Sequence, residues 1–136
     1  MFTCLVAVAA LSLSNLGVIS STAVQVEADA RGLTALVNGP TAGDPAFMGR
    51  LDQFSAESLA LSAALREAGL TEDLPCIFKG IGEDAKVRGA EIQSATGEAR
   101  AMALAGLAAL LRDATEIAPT AAQEVSDRVR AAQPAP

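Results

Sequence analysis

Residues 45–68 read PAFMGRLDQFSAESLALSAALREA, and this stretch decides the fold. Apolar side chains recur in it at alternating spacings of four and three residues, the pattern of a helix that packs on a partner helix. Asp44 can accept amide hydrogens ahead of the helix, Pro45 suits its first turn, and Gly69 suits its left-handed end. The stretch therefore predicts a helix of about 24 residues with one buried face. That face comprises Phe47, Leu51, Phe54, Ser58, Leu61, Leu65 and Ala68.

A second helix is predicted to begin near Asp73, and its apolar spacing continues as far as Ala118, just before Pro119. Such a length without a cap predicts a break or kink at a glycine, because each helical glycine costs about 1 kcal/mol relative to alanine. The candidate positions are Gly80, Gly82, Gly89 and Gly97. The predicted buried face comprises Leu74, Phe78, Ile81, Ala85, Arg88, Ile92, Ala95, Ala99, Met102, Gly106 and Ala109.

The connection between these two helices, Gly69 and Leu70, is very short, which favours an antiparallel hairpin within one chain. The second helix is longer than the first, so residues 97–118 need a further partner. We expect this partner to be residues 27–37, the N-terminal segment or another protein. The predicted fold is all-α, with an antiparallel helical hairpin in a three- or four-helix bundle preceded by an apolar N-terminal helix.

The N-terminal segment, residues 1–26, contains no charged side chain. A cleaved secretory signal is the favoured interpretation, with small residues for a peptidase around Ala23 and Ala28, although no Lys or Arg precedes the apolar run. The alternatives are a retained membrane or assembly helix, with membrane contact through residues 4–26, and a buried helix of a soluble bundle. The segment therefore predicts a periplasmic or secreted protein, or alternatively a membrane-anchored one.

Three regions are predicted along the chain. Residues 1–28 are a signal peptide or a membrane or assembly helix, residues 29–118 form the bundle, and residues 119–136 form a short polar helix with a flexible tail. The 30 alanines and four phenylalanines, with no Trp or Tyr, favour helices packed at close range.

The charge and the residue types exclude several functions. A net charge of −6, with no cluster of basic residues, makes nucleic acid an unfavourable partner. The chain has no His, which removes His-supported catalysis and His-based metal sites. We therefore expect a protein that is not an enzyme and that needs neither a metal nor another cofactor.

The two cysteines, Cys4 and Cys76, lie far apart in the sequence. We expect Cys76 to be a small core residue or to form an intermolecular disulfide, because loss of the N-terminal segment would leave it alone. Its position in the first turns of a helix also allows a reactive thiol.

These observations predict an exported or membrane-tethered helical protein that acts by helix–helix interaction with itself or with an envelope partner. The alternatives are a small structural subunit of a larger membrane or filament assembly with its N-terminal helix retained, and a redox or ligand-binding module based on Cys76. The residues predicted to form the interface are Phe47, Leu51, Phe54, Leu61, Leu65, Ile81, Ile92, Met102, Leu107 and Leu110.

Overall fold

The computed structural model describes residues 13–69 and 73–132, and the prediction of an all-α bundle is confirmed there. Four helices account for almost all of the described chain. They are α1 (Leu13–Val37), α2 (Pro45–Ala68), α3 (Asp73–Ser94) and α4 (Gly97–Ala132).

The four helices form an up-and-down bundle in which each helix packs on two neighbours. Helix α1 packs against α2 and α4, and α3 also packs against α2 and α4, whereas no Cα atoms of the diagonal pairs approach within 8 Å in the described residues. Antiparallel pairing of α2 with α3 follows from two hydrogen bonds: Ser62 donates to the carbonyl of Pro75, and Ser55 donates to the carbonyl of Gly82. The most extensive packing joins α1 to α4.

Helix α2 has the bounds and the buried face that its sequence predicts. All residues of the predicted face are buried, and the hydroxyl of Ser58 is satisfied by donating to the carbonyl of Phe54 at 2.9 Å. Gly69 ends the helix in the left-handed conformation with φ of 62°. Asp44 occupies the N-cap position with extended backbone, but its side chain makes no capping hydrogen bond, so that part of the prediction is wrong.

The long second helix is divided in two. The break lies at Ala95 and Thr96, and α4 starts at Gly97 with φ of +56°, a conformation that glycine adopts without steric cost. The break changes the phase of the buried face, so the predicted face is right for α3 and wrong for α4. Ala99 and Met102 are exposed. The face that α4 buries comprises Ala103, Leu107, Leu111, Ala114, Ala118, Ala121 and Val125.

Helix α4 continues through Pro119, so the prediction of a separate short helix after this residue is wrong. Proline removes one backbone hydrogen bond from a helix interior and normally kinks it. Here Pro119 itself is exposed, while Ala118, Ala121 and Val125 are all buried. The buried contacts on both sides of the proline hold the helix against the bundle.

Helix α1 buries one residue on every turn from its start to its end. The spacing alternates between three and four residues, as in α2, and all of these residues are at most 2 % exposed. The boundary predicted at residues 28–29 lies in the middle of this helix. Among the described helices, none has both the length and the apolarity needed to cross a bilayer. The buried face of α1 comprises Leu16, Ile19, Ala23, Val26, Ala30, Leu33 and Val37.

Candidate functional site

Most of the residues predicted to form an interface lie in the core of the single chain. Seven of them are at most 2 % exposed, and packing within the bundle accounts for them. Ile81 is also a core residue at 6 % exposed, Leu110 is half-buried, and Met102 is 68 % exposed on the outer face of α4. The seven core residues are Phe47, Leu51, Phe54, Leu61, Leu65, Ile92 and Leu107.

Ile81 and Leu110 line a groove between α3 and α4, hereafter the α3–α4 groove. Ile77 adds an aliphatic side chain that is 39 % exposed, and Ile117 extends the lining along α4. The groove has a volume of about 360 Å³. Its helices hold these side chains at successive turns, since residues three or four apart lie on the same helix face. The α3–α4 groove is therefore a partly exposed aliphatic surface built on two helices.

Two carboxylates, Asp113 and Glu116, complete the lining of the α3–α4 groove. Within the described residues neither of them forms an ion pair. The adjoining helix carries Lys79, which lies 3.9 Å from Glu83 in a largely exposed pair. The groove thus combines an apolar floor with an unneutralised acidic edge.

The half-buried Arg88 shows how closely α3 and α4 approach beside this groove. A Cβ at Gly106 would lie only 3.0 Å from Nε of Arg88. The arginine side chain therefore packs against α4 at a position where α4 has no side chain. The guanidinium continues to Glu91, to which it donates at 2.9 Å. Arg88 is the one charged residue in the face predicted to be buried. The absence of a side chain at Gly106 leaves room for the arginine between α3 and α4.

A pair of carboxyl groups lies between α1 and α2. Asp29 accepts a hydrogen bond from Gln25 at 3.1 Å, and Glu57 accepts one from Gln53 at 3.0 Å, each from the glutamine four residues earlier on its own helix. The second oxygen of each carboxyl group, Oδ2 of Asp29 and Oε2 of Glu57, is shielded from water and has no donor. As two ionised groups they are acceptors facing each other, so a proton on one of them is required for a hydrogen bond between them.

This arrangement raises the pKa of Glu57 from 4.5 to about 7. Removal of the carboxyl group from water is the main cause, because burial disfavours the charged form. Hydrogen bonding to Asp29 and the negative charge of Asp29 also raise the pKa, while the hydrogen bond from Gln53 lowers it. Near neutral pH the pair is therefore poised between sharing one proton and losing it.

A second groove lies between α1 and α4, close to the end of α1. Its volume is about 560 Å³, and small side chains such as Ala35 and Ala108 leave it open. Arg31 and Arg112 stand at its edge, and Arg31 is held by Glu27 at 2.9 Å. The two grooves flank α4 on its two sides, and Glu116 lines both of them.

Cys76 is half-buried near the start of α3 and is disulfide-bonded. Cys4, the other cysteine of the chain, lies outside the described residues. A sulfur held in a disulfide is not a thiolate nucleophile, so a reactive role would require prior reduction. The predicted intermolecular disulfide stays a prediction.

Within residues 13–69 and 73–132, no group of three or more Asp, Glu, Cys or His side chains is placed to hold a metal ion. Comparison with protein families, with curated proteins and with solved structures found no match to this chain. The candidate sites are therefore defined by their own geometry.

Sequence reasoning missed the carboxyl pair, both carboxylates of the α3–α4 groove and half of its aliphatic lining. Asp29 and Glu57 are 28 residues apart and come together only through helix packing, so local spacing carries no sign of them. Ile77 and Ile117 had a detectable signal, because each lies one helical turn from a core position and thus at the edge of the buried face.

Proposed function

We propose that this protein is a non-enzymatic helical bundle that binds a partner helix in the α3–α4 groove. The observation that carries the proposal is the aliphatic lining of that groove, which solvent reaches at the exposed Ile77 and at the half-buried Leu110 and Ile117, next to an acidic edge. Monomeric proteins bury most large aliphatic side chains, and a concave apolar surface with a polar rim is typical of a site for a protein partner. The groove includes Ile81 and Leu110, which the sequence had already marked as interface residues.

The chemistry of the groove defines its partner. An amphipathic helix lays aliphatic residues, spaced three and four apart, into a groove of this kind. The carboxylates of Asp113 and Glu116 favour Lys or Arg beside that aliphatic face, because complementary charges select and orient partners. A second copy of this chain, with net charge −6, would bring like charges together. A basic partner helix is therefore favoured over self-association.

The proposal includes retention of α1 in the working protein. Cleavage after Ala23 or Ala28 would remove Leu16 and Ile19 from the core, together with the residues that follow them up to the cut. Burial of each aliphatic side chain is worth about 1.5–3 kcal/mol, which is a large part of a domain's net stability. This supports a subunit with its N-terminal helix retained over a secreted bundle that has lost it.

An exported or membrane-tethered location remains part of the proposal. It is supported by the uncharged residues 1–26 and by the disulfide at Cys76, since disulfides persist in oxidising compartments. The mass and N-terminal sequence of the protein from its native cell test this part. A chain beginning at Met1 supports retention of α1, and a chain beginning near residue 24 or 29 contradicts it.

Site-specific photo-crosslinking in the native cell tests the groove itself. A photoreactive phenylalanine analogue placed at Ile77 should yield one defined adduct with a protein partner, and the adduct should weaken in Asp113→Asn. The same analogue at Val24, which is 57 % exposed on α1, is the matched control and should not yield that adduct. Equal adducts from both positions, or no adduct at Ile77 in a folded protein, would contradict the proposal.

A further inference from the structure

The carboxyl pair of Asp29 and Glu57 spans the contact between the first two helices, and no cation neutralises it. Within the described residues, neither carboxylate forms an ion pair. The glutamines Gln25 and Gln53 each satisfy one oxygen, which fixes the carboxyl groups in place and leaves one shielded oxygen on each. The geometry therefore provides two acceptors and no donor at the interface.

Two arginines lie near the pair without forming an ion pair with it. On α1, Arg31 is paired with Glu27. On α2, the guanidinium of Arg50 lies against Gly32, one turn along α1 from the pair. Helix α3 meets α2 through uncharged residues at the crossings that fix their pairing, and α4 lies diagonally across the bundle from α2. The charge felt by Glu57 comes from Asp29.

We propose that Asp29 and Glu57 form a pH-operated latch between α1 and α2. With one proton shared, a hydroxyl on one carboxyl group donates to the other carboxylate and joins the two helices. With the proton lost, two negative charges face each other without a donor, and the contact between α1 and α2 loosens. The proton exchanges with solvent, and no other group is oxidised or reduced.

The direction of the effect follows from the pKa of Glu57, which is about 7 in the folded chain against 4.5 for an ordinary glutamate. The folded state binds the proton more tightly than the unfolded state between these two values. The contribution of the pair is therefore fully present below pH 4.5 and is lost as the pH rises through about 7. Acidification tightens the bundle, opposite to the usual behaviour of ion-paired carboxylates.

The size of the effect is limited by solvent, because both residues are only partly buried. The full pKa displacement would correspond to several hundredfold in the unfolding equilibrium constant, and screening at a partly exposed site reduces this greatly. We expect a rise of roughly tenfold in the unfolding constant between pH 5 and pH 8.

Urea unfolding of the full chain at pH 5 and pH 8 tests the latch. Glu57→Gln places an amide donor opposite Asp29 at every pH, so the tenfold change should disappear while the protein stays folded. Asp52→Asn removes an exposed carboxylate from the same helix and should keep the wild-type pH dependence. Loss of the pH dependence in Asp52→Asn, or its persistence in Glu57→Gln, would overturn the proposal.

Two direct measurements locate the effect. Carbon NMR of isotopically labelled protein should show the Glu57 carboxyl group titrating near pH 7, and a midpoint near 4.5 would overturn the proposal. Amide hydrogen exchange, corrected for the intrinsic effect of pH, should accelerate in residues 22–32 at the higher pH in the wild type but not in Glu57→Gln. Uniform acceleration across all four helices would contradict a local latch.

Discussion

Replacement of Gly82 by alanine should destabilise the bundle, although alanine is the better helix former. Gly82 lies in the interior of α3 where that helix crosses α2. An added Cβ would lie 2.6 Å from Cγ of Leu59 and 3.0 Å from the backbone oxygen of Ser55. The oxygen belongs to the backbone of α2 and cannot rotate away, and Cγ of Leu59 can move only by a change of χ1 that displaces the whole side chain.

Gly80 provides the matched control, because it lies on the same helix with open space at the Cβ position. Alanine at this residue should stabilise the protein by about 0.5–1 kcal/mol through helix propensity alone. Alanine at Gly82 has the same stabilising effect through helix propensity, but its steric clash costs about 1–3 kcal/mol. The difference between the two variants therefore isolates the steric cost of the α2–α3 crossing.

Urea and thermal unfolding followed by far-ultraviolet circular dichroism measure both variants under identical conditions. For a chain of this size each kcal/mol corresponds to about 3–4 °C in Tm. Gly80→Ala should melt a few degrees above the wild type, and Gly82→Ala several degrees below Gly80→Ala. Equal stability of the two variants would refute the inference that α2 and α3 pack in contact at Gly82.

Three further substitutions test the packing described above. Leu33→Ala should lower the free energy of unfolding by about 2–5 kcal/mol in denaturant titration. Val24→Ala, on the exposed side of α1, should change it by less than about 0.5 kcal/mol. Equal effects of the two substitutions would contradict the burial of one face of α1. Ser55→Ala removes the buried 2.7 Å hydrogen bond to α3 and should cost about 1 kcal/mol, while the exposed Ser94→Ala should cost less by the same measurement. Pro119→Ala should raise Tm, because it restores a backbone hydrogen bond inside α4, and an unchanged Tm would indicate that the helix is already adapted there.

The parts of the fold that the sequence predicts well are those set by local signals. Helix α2 carries its start at Pro45, its end at Gly69 and an unbroken alternation of spacings, so its bounds and buried face follow directly. The position of the break between α3 and α4 is harder to predict, because any of four glycines could end a helix. Only tertiary packing selects Gly97, and the phase of α4 depends on that selection.

The sequence of α1 is harder to interpret, because a signal peptide, a membrane helix and a core helix can share the same apolar pattern. An uncharged apolar run suits a translocon, a bilayer or the core of a bundle, and composition does not separate these. The spacing of the apolar residues does distinguish them. The buried residues from Leu16 to Val37 are alternately three and four positions apart, and Ser21 and Gln25 lie on the exposed side of the helix. The carboxyl pair could not be predicted at all, since its two members meet through the angle between helices.

The pairing of α1 with α4 has a consequence for the growing chain. Among the described helices, the first in chain order packs most extensively against the fourth, and 59 residues separate Val37 from Gly97. At about 5–20 residues per second, several seconds pass before α4 is available. During this interval the apolar face of α1 is open to whatever recognises nascent chains. The same side chains are thus exposed during synthesis and form the core afterwards.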